Sequence, residues 1–289
     1  MSGRVETSIF ELMRNALPDL SPSERRTLRA LLGMKSTTPL TTVAEFAEQA
    51  GVSAPTVLRA AAKLGFANFE SFRERVLADF REREVSAFEQ MQPAAEEADP
   101  ETLVTGMADW MPRAVATTID RVREGEFDRA LQVLCDPTRH LMFAGGRFSQ
   151  TLADMLFAHM DLLRSNCRLI SFDQRARVNH MLDVGRSHVL IIYDFRRYEL
   201  GSVQLAREAK KRRAKIVLVT DQWMSPIADW AETVLVCDVH GPSPFDSLVP
   251  AVALTETLIA AVYGSMTDAA KARLAEFEKL NDTASPFVP

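Results

Sequence analysis

Apolar positions change their period once along the chain. Before residue 136 they recur every three or four residues, as amphipathic helices do; after residue 139 they form short unbroken runs between helical stretches. The first part predicts a helix over 5–17, ending before Pro18, and a second opened by Ser21, Pro22 and Glu24 and running to about Met34. KSTTP is a loop. Two short helices follow between Thr41 and Phe72, then a charged helix over 73–85, a long helix over 102–123 and a short one over 126–135, stopped by Asp136-Pro137. PAAEEADP at 93–100, acidic and bounded by prolines, reads as a linker.

Behind it stand HLMFAG (140–145), CRLIS (167–171), HVLIIY (188–193), KIVLVT (215–220) and TVLVCD (233–238). Such runs of Val, Ile and Leu belong to strands covered on both faces. The intervening helices fall near 149–164, 174–183, 199–213 and 224–231, with a longer one over 246–267. This alternation predicts a doubly wound α/β domain with a parallel five-stranded sheet. The chain then divides into an all-helical domain over 1–83, a helix end and linker over 84–100, the α/β domain over 101–270 and a tail over 271–289.

The helical pair from Thr41 to Phe72 carries the most information. Thr42 and Glu45 are spaced as a capping box, and Val43, Phe46, Ala47 and Ala50 make one apolar face. Gly51 ends the first helix, because glycine enters the left-handed region without steric cost. Ser53 caps a second helix, with Pro55 in its first turn, Val57, Ala61 and Leu64 facing inward and Gly65 at its close. Phe66, Phe69 and Phe72 anchor the helix that follows. Helix, three-residue turn, helix is a DNA-reading unit, although a solvated helical hairpin shares part of the pattern. On the first reading, Ala54, Thr56, Arg59, Ala60 and Lys63 face outward. Thr56 and Arg59 are then base readers, and Arg59 and Lys63 phosphate contacts. The candidate DNA-contact set is Ser53, Ala54, Thr56, Arg59 and Lys63.

AEFAEQAGVSAPTVLRAAAKLGFANFESFR resembles the N-terminal module of the RpiR/MurR family of bacterial transcription factors. The match runs through Ala44, Ala47, Gly51, Val52, Ser53, Thr56, Val57, Arg59, Lys63, Leu64, Gly65, Phe66, Phe69, Phe72 and Arg73. One departure is Ala60, where that family usually places an aromatic residue.

The formal net charge of -5 and pI of about 5.7 exclude a uniformly basic nucleic-acid coat. Charge is unevenly spread: residues 1–83 carry 12 Lys and Arg against 10 Asp and Glu, and the rest is net acidic. A mildly basic segment on an acidic body fits local, salt-dependent DNA contact. Cys135, Cys167 and Cys237 lie far apart without a CxxC, as reduced thiols of a cytoplasmic protein do. No apolar signal core opens the sequence, and the apolar run Val249–Tyr263 is interrupted by Thr255, Glu256 and Thr257, so no membrane partner is expected. Neither HExxH, a Cys/His cluster nor a nucleophile elbow occurs; no metal and no cofactor are expected.

In a doubly wound sheet, ligands bind beyond the carboxyl ends of the strands. After the first strand come Gly145, Gly146, Arg147, Phe148 and Ser149: glycines that let a ligand approach the backbone, and a serine capping a helix whose free N–H groups favour an anion. Plain strand-to-helix turns have paired glycines too. After the third strand come Asp194, Phe195, Arg196, Arg197, Tyr198 and Glu199, a forked donor array for phosphate or carboxylate, or else arginines holding Asp194 and Glu199. Thr220 follows the fourth strand, and Ser225 opens a short helix. The candidate effector set is Gly145, Gly146, Arg147, Ser149, Asp194, Arg196, Arg197, Tyr198, Thr220 and Ser225.

The order and spacing from about Glu101 to Met266 resemble the SIS (sugar isomerase) domain, most clearly in GGRFSQTLADMLFAHMDLL and KKRRAKIVLVTDQWMSPIADWAETVLV. That resemblance implies a phosphosugar-binding fold with a Ser- and Gly-rich phosphate loop after the third strand. Here Asp194, Phe195, Arg196 and Arg197 stand at the usual Ser-x-Ser-Gly positions, and Arg147 replaces a glycine of the first loop. Either arginines hold the anion, or the effector is not a phosphosugar. Isomerase chemistry needs a base, for which Glu256 is the candidate; His180, His188 and His240 are scattered. The expectation is a non-enzymatic, DNA-binding transcriptional regulator, a homodimer or homotetramer. Its partners would be a double-stranded DNA operator and a small anionic, phosphosugar-like effector. A sugar-phosphate isomerase and a DNA-binding protein with a purely dimerising α/β domain are the alternatives.

Overall fold

A computed structural model describes residues 7–32, 42–84, 100–171, 173–243, 245–265 and 267–284. It contains two compact units, Met1–Pro93 with Gln222–Pro226, and Ala94–Asp221 with Ile227–Pro289. The KSTTP loop and most of the expected 93–100 linker lie outside the described residues; Pro100 already opens a helix.

In the first unit, α1 (Ile9–Ala16) starts at Ser8, whose hydroxyl accepts the Phe10 N–H. Helix α2 (Pro22–Leu32) opens on the expected capping box: the Ser21 N–H donates to Glu24 at 2.8 Å, and the Glu24 N–H to the Ser21 hydroxyl at 3.4 Å. Helix α3 (Val43–Gln49) has the second box, with both Thr42–Glu45 bonds formed. Gly51, at φ +63, turns the chain into α4 (Ala54–Lys63), and Gly65, at φ +93, ends it before α5 (Phe69–Glu84). Their apolar faces meet in a core of Phe10, Met13, Leu28, Leu31, Phe46, Val57, Ala61, Phe72, Val76 and Phe80. Phe66 packs edge-on against Phe72, with ring centroids 5.3 Å apart.

Glu24 also receives the Lys63 ammonium at 2.8 Å, tying the start of α2 to the end of α4. The Lys63 hydrogen bond, followed by those from Ser21, lowers the Glu24 pKa from 4.5 to about 2. A carboxyl whose folded pKa is depressed stabilises the fold above its unfolded pKa, and that contribution disappears as pH falls through the folded value. Denaturant unfolding of the wild type should therefore lose stability between pH 4.5 and about 2, and Glu24→Gln should flatten that loss; equal slopes in the two proteins would contradict the pairing.

The second unit begins with α6 (Pro100–Arg121) and α7 (Glu124–Cys135), then alternates β1 (His140–Gly145), α8 (Gln150–Leu163), β2 (Cys167–Leu169), α9 (Gln174–Met181), β3 (His188–Tyr193), α10 (Leu200–Lys211), β4 (Lys215–Asp221) and β5 (Thr233–Cys237). Helices α11 (Val249–Gly264) and α12 (Asp268–Ala284) complete it. All strand pairs are parallel, in the order β2-β1-β3-β4-β5, with Gly145 opposite Tyr193 at the carboxyl ends of β1 and β3. The strand cores are buried throughout β1 and β3–β5 apart from their first residues, as the unbroken apolar runs require.

Two elements differ from the sequence reading. The stretch 224–231 supplies only a 3-10 turn, Pro226–Asp229. Conversely, much of the expected tail over 271–289 is helix α12, opened by the Thr267 hydroxyl on the Ala270 N–H and held by Arg273 on the Asp161 carbonyl at 2.9 Å. Its run of Ala, Lys, Glu and Leu favours helix, which outweighs its position near the end of the chain. Among the described residues no single helix is long and apolar enough to cross a membrane.

Candidate functional site

Helix α4 is held by α2 on one side and α3 on the other, so its buried arc is wide. Val57 and Ala61 are buried as expected, but so are Thr56 and Ala60. The reading that placed Thr56 and Ala60 on the outward face is therefore corrected. Each flanks the Val57–Ala61 stripe by one residue and is covered by the neighbouring helices. The exposed face carries Pro55, Leu58, Arg59, Ala62 and Lys63; Ala54 is half-buried and Ser53 exposed. Because Ala60 is internal, its departure from the usual aromatic is a matter of packing.

Ser53 begins α4 without a side-chain cap; its hydroxyl pairs with that of Thr56 at 2.9 Å. Thr56 also accepts from the Arg59 guanidinium at 3.1 Å, so Thr56 orients Arg59 from below. Arg59 makes no ion pair among the described residues, whereas the Lys63 charge is committed to Glu24. Sequence reasoning missed α2 as a source of cations. Arg26 and Arg29 are exposed on it, and Arg26 reaches the Gly51 carbonyl in the turn before α4 at 3.3 Å. The signal was SERRTLR, whose arginines fall on the side opposite Leu28 and Leu31.

A second constellation lies at the carboxyl ends of β1 and β3. In the order β2-β1-β3-β4-β5 the chain reverses direction of travel between these neighbours, which opens a crevice. Gly145 closes its floor: a Cβ there would lie 2.5 Å from the Gln150 backbone nitrogen. The Gly145 N–H donates to the Gln150 side chain at 3.0 Å, and its carbonyl accepts from buried Arg177 at 2.9 Å. Arg177 also donates to the Ser171 carbonyl at 2.9 Å. The sequence reading had no place for Arg177, which sits on α9 away from every glycine signal.

The expected anion donors are largely engaged inside the protein. The Ser149 hydroxyl accepts from the Gly146 N–H and donates to the Tyr193 carbonyl, both at 2.8 Å, stapling the two loops together. A hydroxyl has one proton, so Ser149 has none left for an anion, and it makes no helix-capping bond. Thr220 spends its proton on the Asp194 carbonyl at 2.6 Å. Tyr198 donates to Asp221 at 2.6 Å, and the Arg196 N–H donates to the same carboxylate. The Arg196 side chain grips Asp246 with two nitrogens at 2.7 and 2.5 Å. Asp194 is buried. Ser225 falls in the segment Gln222–Pro226 of the first unit.

Arg147 and Arg197 differ. Both are exposed and form no ion pair among the described residues; Arg147 lies over the Phe148 ring at 5.4 Å. Arg197 holds φ +62, a conformation that favours glycine. Glu256, the expected base for isomerase chemistry, is exposed on α11, and the buried neighbour facing β3 is Thr255, paired with the Tyr193 hydroxyl at 3.0 Å.

Comparison with known proteins fits this division. Residues 7–83 match the helix-turn-helix domain of the rpiR family, and residues 136–261 match the SIS domain. Among solved structures, the sugar isomerase domain of an RpiR transcription factor from Sphaerobacter thermophilus is 20% identical, with a TM-score of 0.57 over 61% of this chain and 97% of that one. The Vibrio vulnificus NanR protein complexed with ManNAc-6P is 14% identical, with a TM-score of 0.54 over 95% and 98%. A protein of Escherichia coli CFT073, solved as a complex, is 17% identical, with a TM-score of 0.50 over 61% and 95%. At these identities the likeness is one of fold. No curated protein matches the chain.

Proposed function

Because the chain belongs to the RpiR family, joining that family's helix-turn-helix domain to an SIS domain, we propose that this transcriptional regulator senses a small anionic metabolite in the β1–β3 crevice and changes its operator affinity in response. The observation that carries this reading is that Arg147 and Arg197 are each exposed, on the loops that follow the neighbouring strands β1 and β3. They supply the charge that Ser149, Thr220 and Arg196 do not. A phosphosugar fits such a site, and the complex of NanR with ManNAc-6P, a structure similar over most of the chain, supports that class. On the DNA side, Arg59 is the principal reader, with Ser53 and Ala54 at the start of α4 and phosphate contacts from α2. Two half-sites read together require at least a homodimer, and the protein acts in the cytoplasm.

Regulation follows from linkage: an effector shifts operator affinity only by its differential affinity for the two states. The test is an electrophoretic mobility titration of upstream DNA with and without hexose phosphates. The expected result is a 5- to 150-fold change in apparent Kd, the span of about 1–3 kcal/mol of coupling, abolished in Arg147→Ala/Arg197→Ala. DNA binding with no response to any phosphorylated sugar would remove the anionic effector and leave the regulator with a dimerising α/β domain.

A further inference from the structure

The amino end of the sheet, opposite the crevice, gathers three of the five histidines. The parallel register sets His140, the first residue of β1, beside His188, the first of β3, and Met142 beside Arg168 of β2. Residues two apart along a strand share a face, so His140 and Met142 point to the same side. The two imidazoles stack there, with ring centroids 4.8 Å apart and planes at 19°. With Asn166, Cys167, Arg168 and, from α9, His180, they line a cavity of about 120 Å³. Pockets for organic ligands hold roughly 300–1,000 Å³, so this one suits an inorganic ion rather than a sugar.

The sign of that ion follows from the wall. Its polar side chains are a guanidinium, three imidazoles, a carboxamide and a thiol, and no carboxylate lines it. Among the described residues Arg168 forms no ion pair, and the Asn166 amide and the rings of His140 and His180 form no hydrogen bond. His188 accepts the Gly185 N–H at Nδ1, at 3.2 Å, which leaves the proton of its neutral ring on Nε2 as a donor. Burial pushes the Cys167 thiol up to about 11, so it stays uncharged. Among the described residues no three His, Cys, Asp or Glu are placed to hold a metal ion, and Arg168 repels one.

Burial also lowers the pKa of His180 and of His188 from the ordinary 6.5. Arg168 adds to this at His180, and His140 and then Arg168 add to it at His188, against smaller opposing effects of the Gly185 bond and of Asp183 in the turn before β3. An anion among these groups reverses the repulsion and favours their charged forms.

We propose that this cavity is a second ligand site, for a small dianionic oxyanion such as sulfate or inorganic phosphate, held by Arg168, Asn166 and the three histidines. His140 and Gly145 stand at opposite ends of β1, roughly 16 Å apart by strand rise, so the site is separate from the crevice and does not depend on what the crevice binds. Occupation takes up protons: an imidazole that the anion keeps charged binds a proton the empty site has released, so affinity rises as pH falls.

The test uses the full chain with 13C-labelled histidine, and sulfate as the probe because its charge is constant over the range used. At fixed ionic strength the five histidine Cε1–H resonances are followed by NMR, assigned through single His→Gln variants. His140, His180 and His188 should shift saturably, with a Kd about 10-fold tighter near pH 6 than near pH 8. His159, on α8 and outside the cavity, should not move. Arg168→Gln, at an exposed position, should weaken binding about 10-fold, whereas Arg147→Ala/Arg197→Ala should change it less than about twofold. Shifts that grow linearly with sulfate, or that His159 shares, are general salt effects and overturn the proposal. So does wild-type affinity in Arg168→Gln, and so does loss of binding in the double arginine variant, which puts the anion in the crevice instead.

Discussion

Gly145→Ala is expected to destabilise the α/β unit by about 3 kcal/mol, the upper end of the overpacking range. The added methyl would lie 2.5 Å from the Gln150 nitrogen, 2.6 Å from its Cα and 2.6 Å from the Ser149 carbonyl carbon. All three obstacles are backbone, so no side-chain rotation relieves the clash, and α8 must move away from β1. That movement pulls on the Ser149 staple and on the Arg177 bond to the Gly145 carbonyl. Thermal unfolding should fall by about 6–12 °C for a unit of this size. Gly185→Ala is the control: nothing lies within 4 Å of its Cβ, and its unfolding should barely change. Equal behaviour of the two variants would show that β1 and α8 are not packed as described.

The second large effect concerns the Arg196–Asp246 pair, and its asymmetry is the informative part. The Arg196 side chain is 4% exposed and that of Asp246 25%. Asp246→Ala strips a buried guanidinium of its bidentate carboxylate, a change expected to cost about 3 kcal/mol. Arg196→Ala leaves a carboxylate whose side chain is a quarter exposed, although its Oδ1 is buried, and opens that oxygen to water, so it should cost less, about 1 kcal/mol. Urea unfolding of both variants measures the difference. The reverse order would mean that Arg196 is not the buried member, and that its charge is available to a ligand after all.

This pair also shows where sequence reading stopped. Two adjacent arginines at a strand end fit anion binding and internal ion pairing equally well; Asp246, which decides between them for Arg196, is fifty residues away and gives no local signal. The fold itself was far more legible. Both capping boxes and the left-handed Gly51 depend on residues three or fewer positions apart, and all were formed as read. The unbroken apolar runs located all five strands because burial on both faces leaves no room for polar alternation. Thr56 and Ala60 were misplaced for the opposite reason. Helical period gives the centre of a buried stripe, but its width depends on how many helices pack against it, which α2 and α3 decide together.

For the candidate effector residues, spacing gave the strand ends they follow but not the bonds their side chains make. Gly145 lies opposite Tyr193, and the loops that carry Gly146, Arg147 and Arg197 leave from these two neighbouring strand ends. Ser149 and Thr220 are at the strand ends too, yet each gives its single proton to a backbone carbonyl across the sheet. Such bonds join residues 44 and 26 positions apart, beyond the reach of any spacing argument. Arg177 emerged only from three-dimensional proximity to the glycine loop.

The central claim is that α4 presents Arg59 to duplex DNA while Lys63 serves the fold. Fluorescence anisotropy with upstream DNA over 50–200 mM salt tests it most directly, comparing wild type with Arg59→Ala and Lys63→Ala. A lost phosphate contact lowers the slope of log Kobs against log salt by about 1, and a lost base contact costs about 1–3 kcal/mol. The account predicts that Arg59→Ala loses affinity on this scale while Lys63→Ala keeps the wild-type slope. If Arg59→Ala binds as wild type does, the exposed face of α4 does not meet DNA and the account is contradicted.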